Sequence, residues 1–151
     1  MPQLCFSTPL GEITVTEEDG ALVSLDWGQG AILASSPLLE KAKEQIQSYF
    51  TGQRRTFDLP LRPFGTPFQN AVWREISAIP FGQTQTYGVI AARLQTSPRA
   101  VGGACGRNPL PLIIPCHRVL ATDGGLGGYS GDGGVETKRW LLRHEQRVTS
   151  D

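Results

Sequence analysis

The chain has 151 residues, of which 39% are hydrophobic and 19% charged, and its formal net charge is zero. These values are ordinary for a soluble globular protein, and the length suffices for one core or two small subdomains. No apolar run approaches the roughly 18 residues of a membrane span, and the N-terminal residues lack the pattern of a signal peptide, so we expect a cytoplasmic protein without membrane partners.

The cysteine count restricts the possible chemistry further. The chain has three cysteines, Cys5, Cys105 and Cys116. An odd number without close pair spacing argues against a disulfide framework and against a four-ligand zinc site. We therefore expect a reducing compartment and no metal. No motif in the sequence specifies a cofactor, and we expect none.

The charges are unevenly distributed along the chain. Residues 1–75 carry nine acidic and six basic groups, whereas residues 76–151 carry five acidic and eight basic groups. No acidic residue lies between Glu75 and Asp123, and the basic residues of that span are Arg93, Arg99, Arg107 and Arg118. Such a run is typical of a surface that faces phosphates. The alternative is a small apolar core with few charges.

The first part of the chain predicts an antiparallel meander followed by a helix. Alternating segments predict strands near Leu4–Thr8, Glu12–Glu17 and Leu22–Trp27. A helix is predicted from Pro37 to Phe50, with Ser36 as its N-cap. The basic, proline-containing connection over residues 52–65 marks the boundary between an N-terminal α/β subdomain, residues 1–62, and a C-terminal domain, residues 63–151.

The second part predicts short helices. Thr66 and Gln69 form a capping box that begins one helix. Thr86 caps a second helix that ends near Leu94, and the Ser97-Pro98 pair precedes a third that ends near Arg107. Two short helices joined by a tight turn predict a helix-turn-helix motif. The fold class is therefore α/β (α+β), with a helical C-terminal domain.

The second helix of that motif contains Gly102, Gly103 and Gly106. Each interior glycine costs roughly 0.5–1 kcal/mol relative to alanine, so the glycines indicate close approach of another body. Base-reading side chains are missing, since only Arg99 and Arg107 flank the glycines. The pattern favours contact with a groove without sequence readout, and tight helix packing inside the protein is an equal alternative.

The segment Pro115–Val119 places the thiol of Cys116 beside the imidazole of His117, after the apolar run 110–114. Cysteine reacts as the thiolate, which a neighbouring histidine helps to form. Because Pro115 restricts the backbone, we expect the thiol at a stiff exit from a strand. A buried structural cysteine is the alternative.

A glycine-rich stretch covers residues 124–134, but its glycines are not followed by the lysine that a phosphate-binding loop requires. We therefore predict that it forms a pocket wall or a lid. A final helix is predicted from Val135 to Arg147. On this helix Lys138 and Glu145 share one face with two leucines, where a buried charge would need a partner. Exposed charges that flank an apolar stripe are the alternative.

Taken together, these motifs resemble the O6-alkylguanine-DNA alkyltransferases (methylated-DNA–protein-cysteine methyltransferases). The resemblance covers residues 66–146 strongly and the N-terminal part more weakly. It is carried by Arg99–Ala104, Asn108–Pro109, Ile114–Val119, Gly128–Gly131 and Lys138–Glu145. It implies a small α/β subdomain followed by a winged-helix-like helix-turn-helix domain that binds the minor groove of double-stranded DNA with little sequence preference. We expect a monomer.

The resemblance also implies residue roles. Cys116 would accept the alkyl group of O6-alkylguanine. O4-alkylthymine is a possible second substrate. His117 and Glu145 would polarise the thiol through a relay that includes water. Arg99 would fill the gap left by a flipped nucleotide, and Tyr87 would face the target phosphate and donate to the purine. Because the thioether product has no easy leaving group, each chain would react once.

The remaining roles concern the substrate pocket. Asn108 would tie the helix-turn-helix to the cysteine segment, and backbone groups at Cys116 and Val119 would recognise the base. Tyr129 and Ser130 would line the guanine pocket, with Lys138 supporting the site. Compared with common members of the family that it resembles, the chain has about two additional residues in the loop that contains residues 131–134. Because Lys138 follows this loop, the insertion bears on whether Lys138 occupies the position of the family's lysine.

Three alternatives have different tests. A non-catalytic lesion sensor of the same fold would bind alkylated DNA without alkylation of Cys116, although related sensors lack this cysteine. A helix-turn-helix regulator would need base-reading side chains on its second helix. A Cys-His-Glu hydrolase would need an oxyanion hole, which nothing in the sequence specifies.

Overall fold

The computed structural model describes residues 2–30, 34–126 and 134–150. The chain divides into two compact units, Met1–Phe64 and Gly65–Asp151. Among the described residues, no helix has both the length and the apolar character that a membrane span requires.

The first unit begins with the predicted meander. Its strands form an antiparallel sheet in the order β1-β2-β3. They are β1 (Gln3–Thr8), β2 (Gly11–Glu18) and β3 (Ala21–Trp27). Asp19 and Gly20 connect β2 to β3 with φ values of 51° and 81°, a left-handed conformation that aspartate and glycine adopt more readily than most residues.

Helix α1 (Pro37–Phe50) contacts β1 and β2 through its buried stripe. The Ser36 side chain accepts a hydrogen bond from the backbone N–H of Leu39, as the sequence predicts for an N-cap. The predicted connection after α1 is not a free linker. Leu22 of β3 exchanges backbone hydrogen bonds with Pro60 and Arg62, at 2.9 and 2.8 Å, so the connection adds to the sheet edge.

The second unit is helical, and with the sheet of the first unit it confirms the predicted mixed α/β fold. Its helices are α2 (Pro67–Ser77), α3 (Tyr87–Leu94), α4 (Pro98–Gly106) and α5 (Val135–Ser150). A one-turn 3-10 helix, Cys116–Arg118, precedes β5 (Val119–Leu120), which pairs in parallel with β4 (Gln85–Thr86). The sequence did not predict this two-residue pair.

Helices α3 and α4 form the predicted helix-turn-helix. Thr86 and Ser97 cap the two helices with side-chain hydrogen bonds. The turn between them begins at Gln95, which is left-handed at φ 56°. The indole N–H of Trp73 in α2 donates to the carbonyl of Ala104 at 3.0 Å and so fixes the end of α4.

The apolar run before the cysteine is not a strand, contrary to the prediction. It forms a buried turn in which the Ile114 N–H donates to the Leu110 carbonyl at 2.8 Å, and Leu112 has a φ of 76°. Pro109, Pro111 and Pro115 lack the N–H groups that a ladder needs, so this segment cannot pair as a central strand.

Candidate active site

Cys116 lies at the start of the 3-10 helix, and its side chain is buried, with 3% of the residue exposed. Pro115, with φ −82° and ψ 64°, forms an inverse γ-turn in which the Cys116 N–H donates to the Ile114 carbonyl at 2.8 Å. The Val119 N–H then donates to the Cys116 carbonyl. The thiol is thus on a stiff segment, as predicted, although the segment leaves a turn and not a strand.

His117 is completely buried and lies against Glu145 of α5. Its Nε2 is 2.6 Å from Glu145 Oε2, and its Nδ1 has no hydrogen-bond partner among the described residues. Since a carboxylate can only accept, this network assigns the proton to Nε2. The lone pair of Nδ1 is therefore available to accept a proton.

Glu145 receives hydrogen bonds from four donors. Arg118 Nε and Gly82 N donate to Oε1 at 2.9 and 3.1 Å, while Arg118 Nη2 and His117 Nε2 donate to Oε2 at 3.1 and 2.6 Å. Burial alone would raise the pKa of Glu145, but its hydrogen bonds with His117 and Arg118, together with the charge of Arg118, hold the pKa far below the ordinary value. The predicted pairing of the buried Glu145 is thus present.

Burial lowers the pKa of His117, and the charges of Arg118 and Lys138 lower it further. The hydrogen bond and charge of Glu145 act in the opposite direction, but the net shift is downward. The imidazole is therefore neutral at pH 7 and is a proton acceptor, not a cation.

Acid should destabilise the protein through these two groups. Because the pKa of Glu145 is depressed, its contribution is present above its unfolded pKa of about 4.5 and is lost as pH falls towards the folded pKa. The pKa of His117 is also depressed, so stability decreases as pH falls below 6.5, where the unfolded state binds the proton more readily. We expect the melting temperature to fall between pH 7 and pH 4 and, below about pH 5 where Glu145 would bind a proton in the unfolded chain, to fall less steeply in Glu145→Gln. The exposed Glu136→Gln is the matched control, and an equal slope in all three proteins would contradict this assignment.

Lys138 of α5 is also fully buried. Its Nζ donates to the Val119 carbonyl at 2.6 Å and lies 5.7 Å from the centroid of the Tyr87 ring. Burial lowers the pKa of Lys138, whereas the negative charges that Cys116 and Cys105 carry when ionised favour the ammonium form. A thiolate at Cys116 would therefore interact favourably with this ammonium group, and the supporting role that the resemblance implies for Lys138 stays a prediction.

Two residues of the helix-turn-helix are close enough to Cys116 to interact with it electrostatically. Burial, followed by the charges of Cys105 and Cys116, raises the pKa of Tyr87 to about 12. Burial, followed by the charge of Cys116, raises the pKa of Cys105 to about 12. Tyr87 is therefore a phenol that can donate at neutral pH, and Cys105 remains a thiol with little nucleophilic character.

Asn108 connects the end of α4 to the cysteine segment. Its Nδ2 donates to the Ile114 carbonyl at 2.8 Å, and its Oδ1 accepts from the Leu110 N–H at 2.9 Å. The side chain is buried, so both bonds are shielded from water. Asn108 thus bonds to two residues of the segment that precedes Cys116, and its role as a hinge, which the resemblance implies, stays a prediction.

The four arginines of the acid-free run do not share one environment. Arg99 and Arg107 are exposed at the two ends of α4. Arg93 is within 3.6 Å of Glu75, and Arg118 is buried against Glu145. The prediction of a phosphate-facing surface is thus wrong for Arg118, whose carboxylate partner lies 27 residues further along the chain.

The glycines of α4 do not pack against any other part of the protein that the structure describes. A Cβ atom added at Gly102, Gly103 or Gly106 would meet no described atom within 4 Å beyond the helix's own backbone. The alternative of tight internal helix packing is therefore wrong for the described part of the chain. The exposed face of α4 instead combines Gly103 and Gly106 with Arg99 in the first turn, where a cation opposes the helix dipole.

Some predicted features lie outside the described residues, namely Tyr129, Ser130 and residues 131–133 of the longer loop. Within the described residues, no group of three or more His, Cys, Asp or Glu side chains could hold a metal ion. Sequence reasoning did not identify Arg118 as a residue of this site. Its position directly after His117 was the feature of the sequence that could have indicated it.

Comparison with known proteins gives a consistent result for both units. The family model described as 6-O-methylguanine DNA methyltransferase, DNA binding domain, matches residues 67–147, and the model described as its ribonuclease-like domain matches residues 5–63. The constitutive methylated-DNA–protein-cysteine methyltransferase of Bacillus subtilis is 41% identical, over 92% of this chain and 92% of that protein.

Comparison with solved structures leads to the same family. The Mycobacterium tuberculosis protein OGT in complex with DNA has a TM-score of 0.87 at 35% identity, and the alignment covers 98% of this chain and 94% of that one. An O6-methylguanine DNA methyltransferase from Methanococcus jannaschii has a TM-score of 0.72 at 32% identity, covering 95% and 93%. With a buried Cys-His-Glu arrangement beside a helix-turn-helix, this chain belongs to the 6-O-methylguanine DNA methyltransferase family.

Proposed function

We propose that this protein repairs double-stranded DNA by transferring the alkyl group of O6-alkylguanine directly to Cys116, once per chain. The observation that carries the proposal is the arrangement of His117, the chain neighbour of Cys116, whose Nε2–H is engaged by Glu145 while its Nδ1 has no partner among the described residues. Family membership gives the reaction class, a DNA methyltransferase that acts through a cysteine.

The chemical step begins with loss of the thiol proton to Nδ1 of His117 through a bridging water molecule. The sulfur electron pair forms the S–C bond in line as the C–O6 bond breaks, and that bonding pair leaves with the guanine. Tyr87 donates a hydrogen bond to the leaving guanine, which is consistent with a hydroxyl that stays protonated at neutral pH. The proton held by His117 then returns through solvent to the guanine.

The product explains the single turnover. A thioether at Cys116 has no leaving group that water or another thiol expels under mild conditions. The protein therefore ends as an alkylated chain, and the reaction requires no cofactor because both the nucleophile and the proton acceptor belong to the chain. We expect it to act as a monomer in the cytoplasm.

DNA binding is assigned to the exposed face of α4. A helix surface of glycines can approach a minor groove closely, and the absence of base-reading side chains fits binding with little sequence preference. Arg99, exposed at the start of α4, would occupy the gap left by the flipped nucleotide. The flipped base would then meet backbone groups of Cys116 and Val119, with Lys138 holding the Val119 carbonyl and Tyr129 and Ser130 lining the pocket.

Enlarging Gly103 should change stability and DNA affinity in opposite directions. Gly103→Ala should raise the free energy of unfolding by about 0.5–1 kcal/mol, because alanine favours the helix and nothing within the described protein obstructs its methyl group. Gly103→Leu should fold as well but bind duplex DNA more weakly, because its side chain would separate α4 from the groove. Urea unfolding and fluorescence anisotropy at fixed salt measure the two effects. Unchanged affinity in Gly103→Leu would contradict the proposed docking face.

The proposed function is tested by intact-protein mass spectrometry after mixing with a duplex that contains O6-methylguanine. We expect one added methyl group per chain, located on the peptide that holds Cys116, and repaired guanine that plateaus at one equivalent of protein. Turnover beyond one equivalent would exclude the single-reaction mechanism. Tight binding to the alkylated duplex without any mass change would instead indicate a lesion sensor.

A further inference from the structure

Arg118 is a buried cation in the site whose role the proposed chemistry does not yet include. It is 6% exposed, and each of its three guanidinium nitrogens is engaged. Nε and Nη2 donate to the two oxygens of Glu145 at 2.9 and 3.1 Å, and Nη1 donates to the Ile79 carbonyl at 2.8 Å. The guanidinium carbon also lies 5.6 Å from the centroid of the Phe81 ring.

We propose that Arg118 is a positioning residue that acts through Glu145, both by fixing the plane of the carboxylate and by offsetting its charge, so that His117 is held as a neutral proton acceptor. This proposal rests on the proposed function, because a neutral imidazole matters only if His117 takes the proton of Cys116.

The first argument is geometric. Arginine presents a planar fork that matches a carboxylate, and two parallel bonds prevent rotation about the bond to the carboxyl carbon. With Gly82 N on Oε1 as well, each oxygen of Glu145 has two donors, so the four lone-pair directions are used. The direction in which Glu145 accepts from His117 Nε2 is therefore fixed, and with it the direction of Nδ1.

The second argument is electrostatic. Among the described residues, the charged groups that act on His117 are Glu145 and Lys138 of α5 and its chain neighbour Arg118. A lone carboxylate 2.6 Å from an imidazole would favour the imidazolium form. An imidazolium has no lone pair and cannot accept the thiol proton. The positive charge of Arg118, shared across the same carboxylate, counteracts this effect.

A role in stability alone would leave a different signature. The bond from Nη1 to Ile79 lies just beyond the end of α2, so removing Arg118 also removes a structural contact. Loss of that contact would slow alkyl transfer by the same factor at every pH. Loss of the charge would instead slow transfer mainly at low pH, where His117 becomes protonated, and transfer would recover as pH rises.

The experiment compares Arg118→Met, Arg118→Lys and wild type. Histidine labelled with 13C and 15N reports the protonation of His117 by NMR, and His144, the other of the two histidines, is the internal control. We expect the protonated fraction of His117 at pH 7 to rise about tenfold or more in Arg118→Met. The rise should be smaller in Arg118→Lys, which keeps the charge. Alkyl-transfer rates from pH 6 to pH 9 should show the acidic limb of Arg118→Met moved to higher pH.

A double variant separates charge from packing and addresses the case in which Arg118→Met does not fold. Arg118→Met with Glu145→Gln removes both charges, which buried pairs tolerate better than the loss of one. It should return His117 to the neutral form at pH 7. An unchanged titration of His117 in Arg118→Met, with a pH-independent loss of rate, would overturn the proposal. If Arg118→Met does not fold, a His117 that is protonated at pH 7 in the double variant would overturn it. If wild type transfers no alkyl group, the proposed function fails, whereas the NMR titration still reports on Arg118.

Discussion

Cys116→Ser is expected to reduce alkyl transfer to background while leaving affinity for duplex DNA within about twofold of wild type. A serine hydroxyl is a far weaker nucleophile at neutral pH than a thiol, even with His117 beside it. The substitution removes little volume from a buried position, so the 3-10 helix and its contacts should persist. Transfer is measured from the mass of the intact protein, and affinity from fluorescence anisotropy.

Cys105→Ser is the matched control, since Cys105 is also buried and close enough to Cys116 to interact with it electrostatically. It should retain transfer, because the raised pKa of Cys105, about 12, leaves almost no thiolate at neutral pH. Cys5→Ser, in the sheet of the first unit, should do the same. Methylation of Cys105 in the Cys116→Ser protein would show that the nucleophile has been misassigned.

Arg99→Ala should impair repair of duplex DNA much more than reaction with the free alkylated base. Flipping a nucleotide costs a few kcal/mol of unstacking free energy, and an arginine that fills the gap would offset part of that cost. If the variant loses about 2 kcal/mol of this compensation, the rate constant on duplex DNA should fall roughly thirtyfold. A free base has no stack to leave, so its rate constant should hardly change. The measured quantity is the ratio of the two second-order rate constants, compared between variant and wild type.

Arg107→Ala is the control, because Arg107 is an exposed arginine at the other end of α4. It should weaken binding to damaged and undamaged duplex alike and leave the rate ratio unchanged, as expected of a phosphate contact. If Arg99→Ala behaves in the same way, then Arg99 is also only a phosphate contact and the nucleotide is flipped by other groups.

The helices were the most predictable part of this fold, because their boundaries depend on local chemistry. Ser36, Thr66, Thr86 and Ser97 each precede a helix and accept a hydrogen bond from its first turn. A cap, a following proline and the apolar spacing lie within a few residues of one another, so the sequence alone contains the whole signal.

Features that depend on distant residues could not be predicted in this way. The pairing of β4 with β5 joins segments more than 30 residues apart, and two-residue strands have no periodicity to detect. The partner of Arg118 was equally hidden, since the nearest acidic residues in sequence are Asp123 and Asp132, whereas the observed partner is Glu145. Local charge composition favoured a surface role, and only the tertiary structure gives the buried one.

The segment that carries the thiol is joined to the helix-turn-helix on both sides. Before Cys116, Ile114 is bonded to Asn108 at the end of α4, and after it, β5 pairs with β4 directly ahead of α3. Movement of the two helices on a duplex therefore carries the sulfur with them. The orientational freedom of the nucleophile is therefore lost when the chain folds and not at each encounter with DNA, which favours a fast chemical step. Loosening either connection should therefore slow the chemical step while leaving occupancy of the DNA intact.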